Sequence, residues 1–342
     1  MIQNILIEHN QRYSHMVIQD FVKLIYQNEF GGGHLISDPQ KSLEHILDER
    51  TIGKTYFEDI GNEQVRLHIG NISLLEAKCI NQLFILSSKQ KQGTLDNFKL
   101  KLKELYNLVD ELPYSLTQLN TYLEAYEKQG YPMVSHSKKY KENYTPHYRV
   151  ILKKYAQYYS LILKIYEIIE KQKQITIAID GLCGSGKTTL ANILNEIFNS
   201  NLFHMDDFFL PPFKRTQERL NEAGGNVDYE RFKQTVLTPL AKKETVLYQP
   251  FDCHIMQLCD IKEINYRSIN IIEGTYSMHP YFEDPYDLKI FVETKASIQL
   301  ERILKRNGEV MFKKFKEIWI PMENKYFKTF KIKNKCDQII IT

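Results

Sequence analysis

The chain has 342 residues, with 45 Lys and Arg against 42 Asp and Glu, a formal net charge of +3. At 43% hydrophobic and 25% charged residues, this is an ordinary globular composition with room for two domains, which excludes wholesale disorder. Residues 1–172 hold 21 basic and 20 acidic side chains and residues 173–342 hold 24 and 22, so neither half is the basic body of a dedicated nucleic-acid binder.

In chain order, Val17, Phe21, Leu24 and Ile25 recur at helical spacing, and Leu100, Leu102, Leu105 and Leu108 do so more loosely. Between these stretches lie two other features. Three consecutive glycines precede His34, with Asp38 after it, and Tyr56–Ile69 predicts a hairpin turning at Gly61-Asn62. Tyr131–Ser137, followed by Lys138, Lys139, Tyr140 and then His147, Tyr148 and Arg149, mixes Ser, His, Tyr and cations ahead of a helix. That helix is predicted from about Tyr148 to Lys171. The composition suits an anionic small molecule, with His34 and His136 as acid/base groups and Arg149 as a cation, converging on a second site. The plainer alternative is a Gly-rich helix stop at 31–33 and a solvated basic loop at 135–149. The polar run KQKQ then marks a junction, giving a helix-rich module over 1–172.

From 173 the pattern changes. Ile175–Ile179, Leu202–Met205, Ile269–Ile272, Leu288–Val292 and Ile339–Ile341 are short apolar runs separated by helical segments. They predict a parallel five-stranded sheet with helices on both faces.

The first run leads into Gly181-Leu-Cys-Gly-Ser-Gly-Lys-Thr-Thr189, which fits G-x-x-x-x-G-K-[ST] at every fixed position, with a helical ANILNEIF after it. Here Gly181, Gly184 and Gly186 let successive N–H groups turn inward as a phosphate nest, with Ser185 and Thr189 in the same loop. The Lys187 ammonium reaches the β and γ phosphates, and the Thr188 hydroxyl can ligate Mg²⁺. Downstream, Asp206 and Asp207 end the second run and Glu273 ends the third, the edge where open parallel sheets bind ligands. For the aspartates, helix capping is the plain alternative.

These motifs, in this order, resemble those of the uridine kinase, nicotinamide riboside kinase and phosphoribulokinase group of P-loop kinases. GLCGSGKTT is similar to its GxSGSGKTT loop, with Cys183 for the usual Ser, and MDDFF to its D-[SD]-F-[YF] motif. IIEG is similar to its EG motif, and Leu300–Arg306 (LERILKR) to its lid helix, although the following NGEVMFKKFKEIWIPMENKYF is poorer in Arg than the pattern. The resemblance covers 173–342. It implies ATP and Mg²⁺ as cofactors, Asp206 as general base, Thr188 and Glu273 at the metal, and Arg302 and Arg306 over the transferring phosphate. It also implies an acceptor pocket at Asp228 for sugar hydroxyls and at Phe251, Asp252 and His254 near a ring. The alternatives are that Asp228 caps the helix that follows and that His254 lies on a surface loop.

The expected fold is therefore α/β: a doubly wound parallel five-stranded P-loop kinase sheet, with a separate, mainly α-helical N-terminal domain. The expected activity is ATP-dependent phosphoryl transfer to a hydroxyl of a small nucleoside-like or polyol metabolite. A bifunctional enzyme with a second site in the N-terminal half and a nucleotide-dependent regulatory protein are the rivals. The five Cys, at 79, 183, 253, 259 and 336, are odd in number and include no CxxC, against a disulfide scaffold or zinc ribbon. Cys253, His254 and Cys259 fit no common zinc spacing. The most apolar stretch, Tyr158–Ile169, is interrupted by Lys164 and Glu167 and falls short of the ~20 residues that span a bilayer. The expected setting is cytoplasmic, with a small-molecule partner, no nucleic acid and no membrane; homo-oligomerisation stays open.

Overall fold

The computed structural model describes residues 2–32, 38–90 and 93–342, and these group into two units, Met1–Tyr166 and Glu167–Thr342. In the first unit, α1 (Ile2–Arg12), α2 (Ile18–Phe30), α3 (Pro39–Asp48), α4 (Leu74–Gln90), α5 (Leu95–Lys103), α6 (Leu116–Lys128), α7 (Lys138–Tyr144) and α8 (Lys153–Gln157) accompany an antiparallel sheet, and α9 (Tyr159–Gln172) carries the chain out of it. The sheet has the order β1-β2-β3, with β1 at Tyr56–Gly61, β2 at Gln64–His68 and β3 at Tyr148–Leu152. The helical spacing around Phe21 works as expected: Phe21, Val22, Leu24 and Ile25 are fully buried beside Leu6, Phe98 and Leu105.

One element differs from its reading. Tyr148–Leu152 begins no helix; it is a strand, with Tyr148 opposite His68 and Val150 opposite Arg66. An aromatic and two β-branched residues favour the pleated state once a partner strand is present, and the hairpin Tyr56–His68 supplies that partner. Helix starts only at Lys153. Among the described residues the unit is mainly helical, with this one small sheet.

The second unit is built on a sheet in the order β12-β11-β4-β10-β5. Its strands are β4 (Ile175–Gly181), β5 (Asn201–His204), β10 (Ile269–Glu273), β11 (Leu288–Glu293) and β12 (Gln338–Ile341), all paired in parallel. They coincide with the five apolar runs. Two antiparallel pairs lie outside the sheet: β6 (Val246–Tyr248) with β9 (Lys262–Ile264), and β7 (Phe251–Asp252) with β8 (Gln257–Leu258). Helices α10 (Lys187–Phe198), α11 (Gln217–Asn221), α12 (Tyr229–Phe232), α13 (Thr238–Lys242), α14 (Ala296–Lys314) and α15 (Ile320–Phe330) complete it.

Strand alternation sends Ala178, Phe203, Ile272 and Phe291 to one face, where Phe232, Val236 and Tyr326 cover them. Ile177, Ile179, Ile271 and Ile290, fully buried, point to the other. The first strand of the sheet, β4, sits at its centre, flanked by β10 and β11. The chain leaves it toward β5 on one side and returns to β11 on the other, so the carboxyl end of β4 is a switch point where ligand crevices form. Among the described residues, no helix is long and apolar enough to cross a membrane.

Candidate functional site

At that switch point β4 passes through Gly181 into the loop. Gly181 has φ +139°, and a Cβ there would lie 2.0 Å from the carbonyl oxygen of Val292, so no other residue fits. Gly186, at φ +91°, turns the chain into α10 and leaves the amino end of that helix facing the loop. Lys187 is 8% exposed and donates its Nζ to the carbonyls of Gly181 and Leu182, each at 2.9 Å, and to Thr275 Oγ1 at 3.2 Å. Ser185 is fully buried, and its hydroxyl has no partner among the described residues.

Thr188 and Glu273 are brought together: the Thr188 hydroxyl lies 3.3 and 3.4 Å from the two carboxylate oxygens. His204 Nδ1 sits 2.6 Å from Glu273 Oε1, and that carboxylate, by hydrogen bond and charge, raises the imidazole's pKa. His204 and Glu273 face each other across the parallel register of β5 and β10. Among the described residues, no group of three or more His, Cys, Asp or Glu could hold a metal. A hydroxyl with one carboxylate is nevertheless the incomplete oxygen set that Mg²⁺ accepts when phosphate oxygens and water fill its other positions.

The two aspartates after β5 have different surroundings. Asp207 accepts from the Tyr248 hydroxyl at 2.8 Å and from Lys262 Nζ at 3.1 Å. Among the described residues Asp206 has no side-chain hydrogen bond or ion pair, and it is exposed. Desolvation by the groups packed around it raises its pKa above the usual Asp value; Lys187 opposes that shift and the nearby Glu273 carboxylate adds to it. The β7 strand packs on the Met205–Phe208 turn, so the β7–β8 hairpin borders this carboxylate.

Several groups that complete the loop carry no local motif. Asp180, fully buried, accepts from the N–H groups of Gly181, Tyr276 and Met278 and from the Tyr326 hydroxyl. Burial pushes its pKa up to about 6 against the pull of Lys187 and those donors. Thr275 donates to the Gly181 carbonyl at 3.0 Å. His204 alone had a signal in the sequence, as the one polar residue inside the apolar run Leu202–Met205 ahead of Asp206. Thr275 lies two residues past Glu273, without a pattern of its own.

The two arginines expected over the transferring phosphate separate. Arg302 contacts the Gly184 carbonyl at 3.4 Å and Thr342 Oγ1 at 2.9 Å, while Arg306 lies near enough to Asp206 for its charge to act on that carboxyl. Gly308, at φ +72° and ψ 173°, breaks α14 just beyond them.

In the expected acceptor pocket, Asp228 is fully buried and already engaged. It caps α12 through the N–H of Arg231 and pairs with Lys214 at 3.0 Å and Arg231 Nε at 3.3 Å. Its carboxylate does the work of the plainer reading, because a buried charge needs fixed counter-charges. The Phe251 ring is 4% exposed, with the Arg215 guanidinium 5.8 Å from its centre, which corrects the expectation of a ring free to stack. Asp252 closes a turn onto the N–H of His254 at 2.7 Å, and His254 is exposed in that turn.

In the first unit, His34 lies outside the described residues. His136 is buried between Asp20 Oδ1, 3.1 Å from Nδ1, and the Tyr148 hydroxyl, 2.6 Å from Nε2, and stacks on Tyr140. Asp20 also takes the N–H and hydroxyl of Ser137 and the N–H of Val17, so it pins the starts of two helices. Arg149, next to Tyr148 on β3, points to the opposite sheet face, where it pairs with Glu49 at 2.6 Å above Phe84. His136 and Arg149 are therefore not brought together; through Tyr148 the His136 network continues instead to Gln27 and Arg66.

No protein-family model matches the chain, and no curated protein matches it. Among solved structures, a possible uridine kinase from Bacillus stearothermophilus aligns at 19% identity over 53% of this chain and 99% of its own length, with a TM-score of 0.40. A shikimate kinase from Bacteroides thetaiotaomicron aligns at 14% identity over 48% of this chain and 85% of its own, with a TM-score of 0.27. At such identities and TM-scores the likeness bears on neither the reaction nor the acceptor.

Proposed function

We propose that the second unit is an ATP-dependent phosphotransferase acting on a hydroxyl of a small, nucleoside-like or polyol metabolite. The observation that carries this reading is the Asp206 carboxylate, free of side-chain partners among the described residues, beside a complete phosphate loop and the Thr188–Glu273 pair. A nucleotide switch has no use for an unpartnered base beside its phosphate site.

In this reading the loop N–H groups and Lys187 bind and orient the phosphates. Thr188 and Glu273 would hold Mg²⁺, which supplies charge neutralisation at the phosphate oxygens. Asp206 accepts the proton of the acceptor hydroxyl. The hydroxyl oxygen forms its bond to the γ-phosphorus as the bond to the bridging oxygen breaks, leaving ADP. The raised pKa of Asp206 makes it a better proton acceptor than an ordinary surface carboxylate. Phosphoryl transfer requires little more than this positioning and charge stabilisation.

The test is a panel of nucleosides, vitamins and sugars scored for ADP release. Release that needs both ATP and one particular hydroxyl compound supports the reading. A folded chain that neither binds nor turns over nucleotide refutes it.

A further inference from the structure

α15 brings a buried acid onto the phosphate loop. Glu323 is 7% exposed. Its Oε2 accepts from the backbone N–H of Cys183 at 3.0 Å, inside the Gly181–Lys187 loop, and its Oε1 lies 3.3 Å from Thr275 Oγ1, which shares its one proton with the nearer Gly181 carbonyl. The same Thr275 hydroxyl oxygen lies 3.2 Å from the Lys187 ammonium, so one hydroxyl separates the carboxylate from the lysine. Burial raises the pKa of Glu323, while the Lys187 charge and the Cys183 and Thr275 donors oppose this. No step of the phosphoryl transfer above uses this acid.

We propose that Glu323 is an internal competitor for the nucleotide phosphate: its carboxylate takes a loop N–H and part of the field of Lys187, and so sets how tightly the loop binds anions. This rests on the phosphotransferase reading of the loop. The physical reason is direct. A nest of N–H groups and one ammonium attracts phosphate through a fixed amount of positive potential. A buried carboxylate within a few ångströms subtracts from that potential, and at the effective dielectric of such a site a unit charge shifts anion affinity by about ten-fold or more.

Glu323→Gln separates charge from structure, because the amide oxygen can still accept from Cys183 or Thr275. The expected result, by calorimetric titration of the full chain with ADP and with inorganic pyrophosphate, is binding about ten-fold or more tighter than wild type. Glu323→Ala, which removes charge and acceptor together, is the second variant and is expected to tighten binding as well. Unchanged or weaker binding in both overturns the proposal and makes Glu323 a purely structural anchor of the loop. Loss of the folding transition in both variants overturns it too. Lys187→Ala runs in parallel. If wild type binds ADP and Lys187→Ala does not, the loop reading stands whatever Glu323 does; if wild type binds neither probe, both readings fall.

Discussion

Asp206 and Asp207 are adjacent in the chain and chemically identical, so exchanging them one at a time isolates what their surroundings do. Among the described residues Asp206 has no side-chain hydrogen bond or ion pair to lose. Asp206→Asn should therefore leave the melting temperature within about 2 °C of wild type, as for surface changes worth within ~0.5 kcal/mol. If Asp206 is the base, kcat should fall by roughly 10²–10⁴, the usual worth of a positioned proton acceptor. Asp207→Ala should do the reverse. It strips the acceptor from Tyr248, which is only 3% exposed, and the counter-charge from Lys262, whose side chain is about half exposed. An orphaned buried hydroxyl costs about 1–3 kcal/mol and an exposed ion pair under ~1 kcal/mol. At about 2–4 °C per kcal/mol for a unit of this size, a drop of roughly 2–16 °C follows, with kcat held within about ten-fold. Thermal melts and acceptor-dependent ADP release measure the two axes. If Asp207→Ala cripples turnover while Asp206→Asn is mild, the roles are reversed and the reasoning fails.

Lys187→Ala should abolish ADP production while the chain still melts cooperatively, because in the proposed reaction its ammonium offsets the negative charge of the transferring phosphate; turnover in a folded variant contradicts the loop assignment. In the first unit, burial lowers the pKa of His9 to about 4 and that of His136 to about 3. Both are neutral in the folded state, whereas in the unfolded chain they protonate near the ordinary 6.5. The unfolded state then binds more protons, so stability should fall as pH drops from about 6.5 toward 4.5, by roughly 1 kcal/mol per pH unit for each histidine. Denaturant titrations across that window should show the slope, and His136→Gln should remove about half of it; an unaltered slope rejects the assignment. Glu58→Gln should cost about 3–5 kcal/mol by urea unfolding, since Arg66, 1% exposed, would lose its ion-pair partner. Burial pushes the Glu58 carboxyl up, but the hydrogen bond from His68 and the charge of Arg66 hold it well below the usual carboxylate range. A near-neutral substitution would mean the pair is not maintained in solution.

The parts of this protein legible in its sequence are those governed by a few neighbouring residues. Gly181 to Thr189 reads as a phosphate loop because glycine torsions, a helix start and a lysine act within nine positions. The five apolar runs read as strands, and each is one. Where a side chain's role depends on a partner brought in by folding, the local pattern was silent or misleading. Tyr148–Leu152 is a strand only because Gln64–His68 lies beside it. Phe251 carries an exposed-looking aromatic signal yet is buried under Arg215. The choice between Asp206 and Asp207 rests with Tyr248 and Lys262, dozens of residues away. His204 gains its partner from the register of β5 against β10, and Glu323 reaches Cys183 across 140 positions. Periodicity and turn chemistry are local and survive in the one-dimensional chain. Burial and counter-charge, which decide whether a carboxylate is a base, a cap or an anchor, exist only once distant segments pack together.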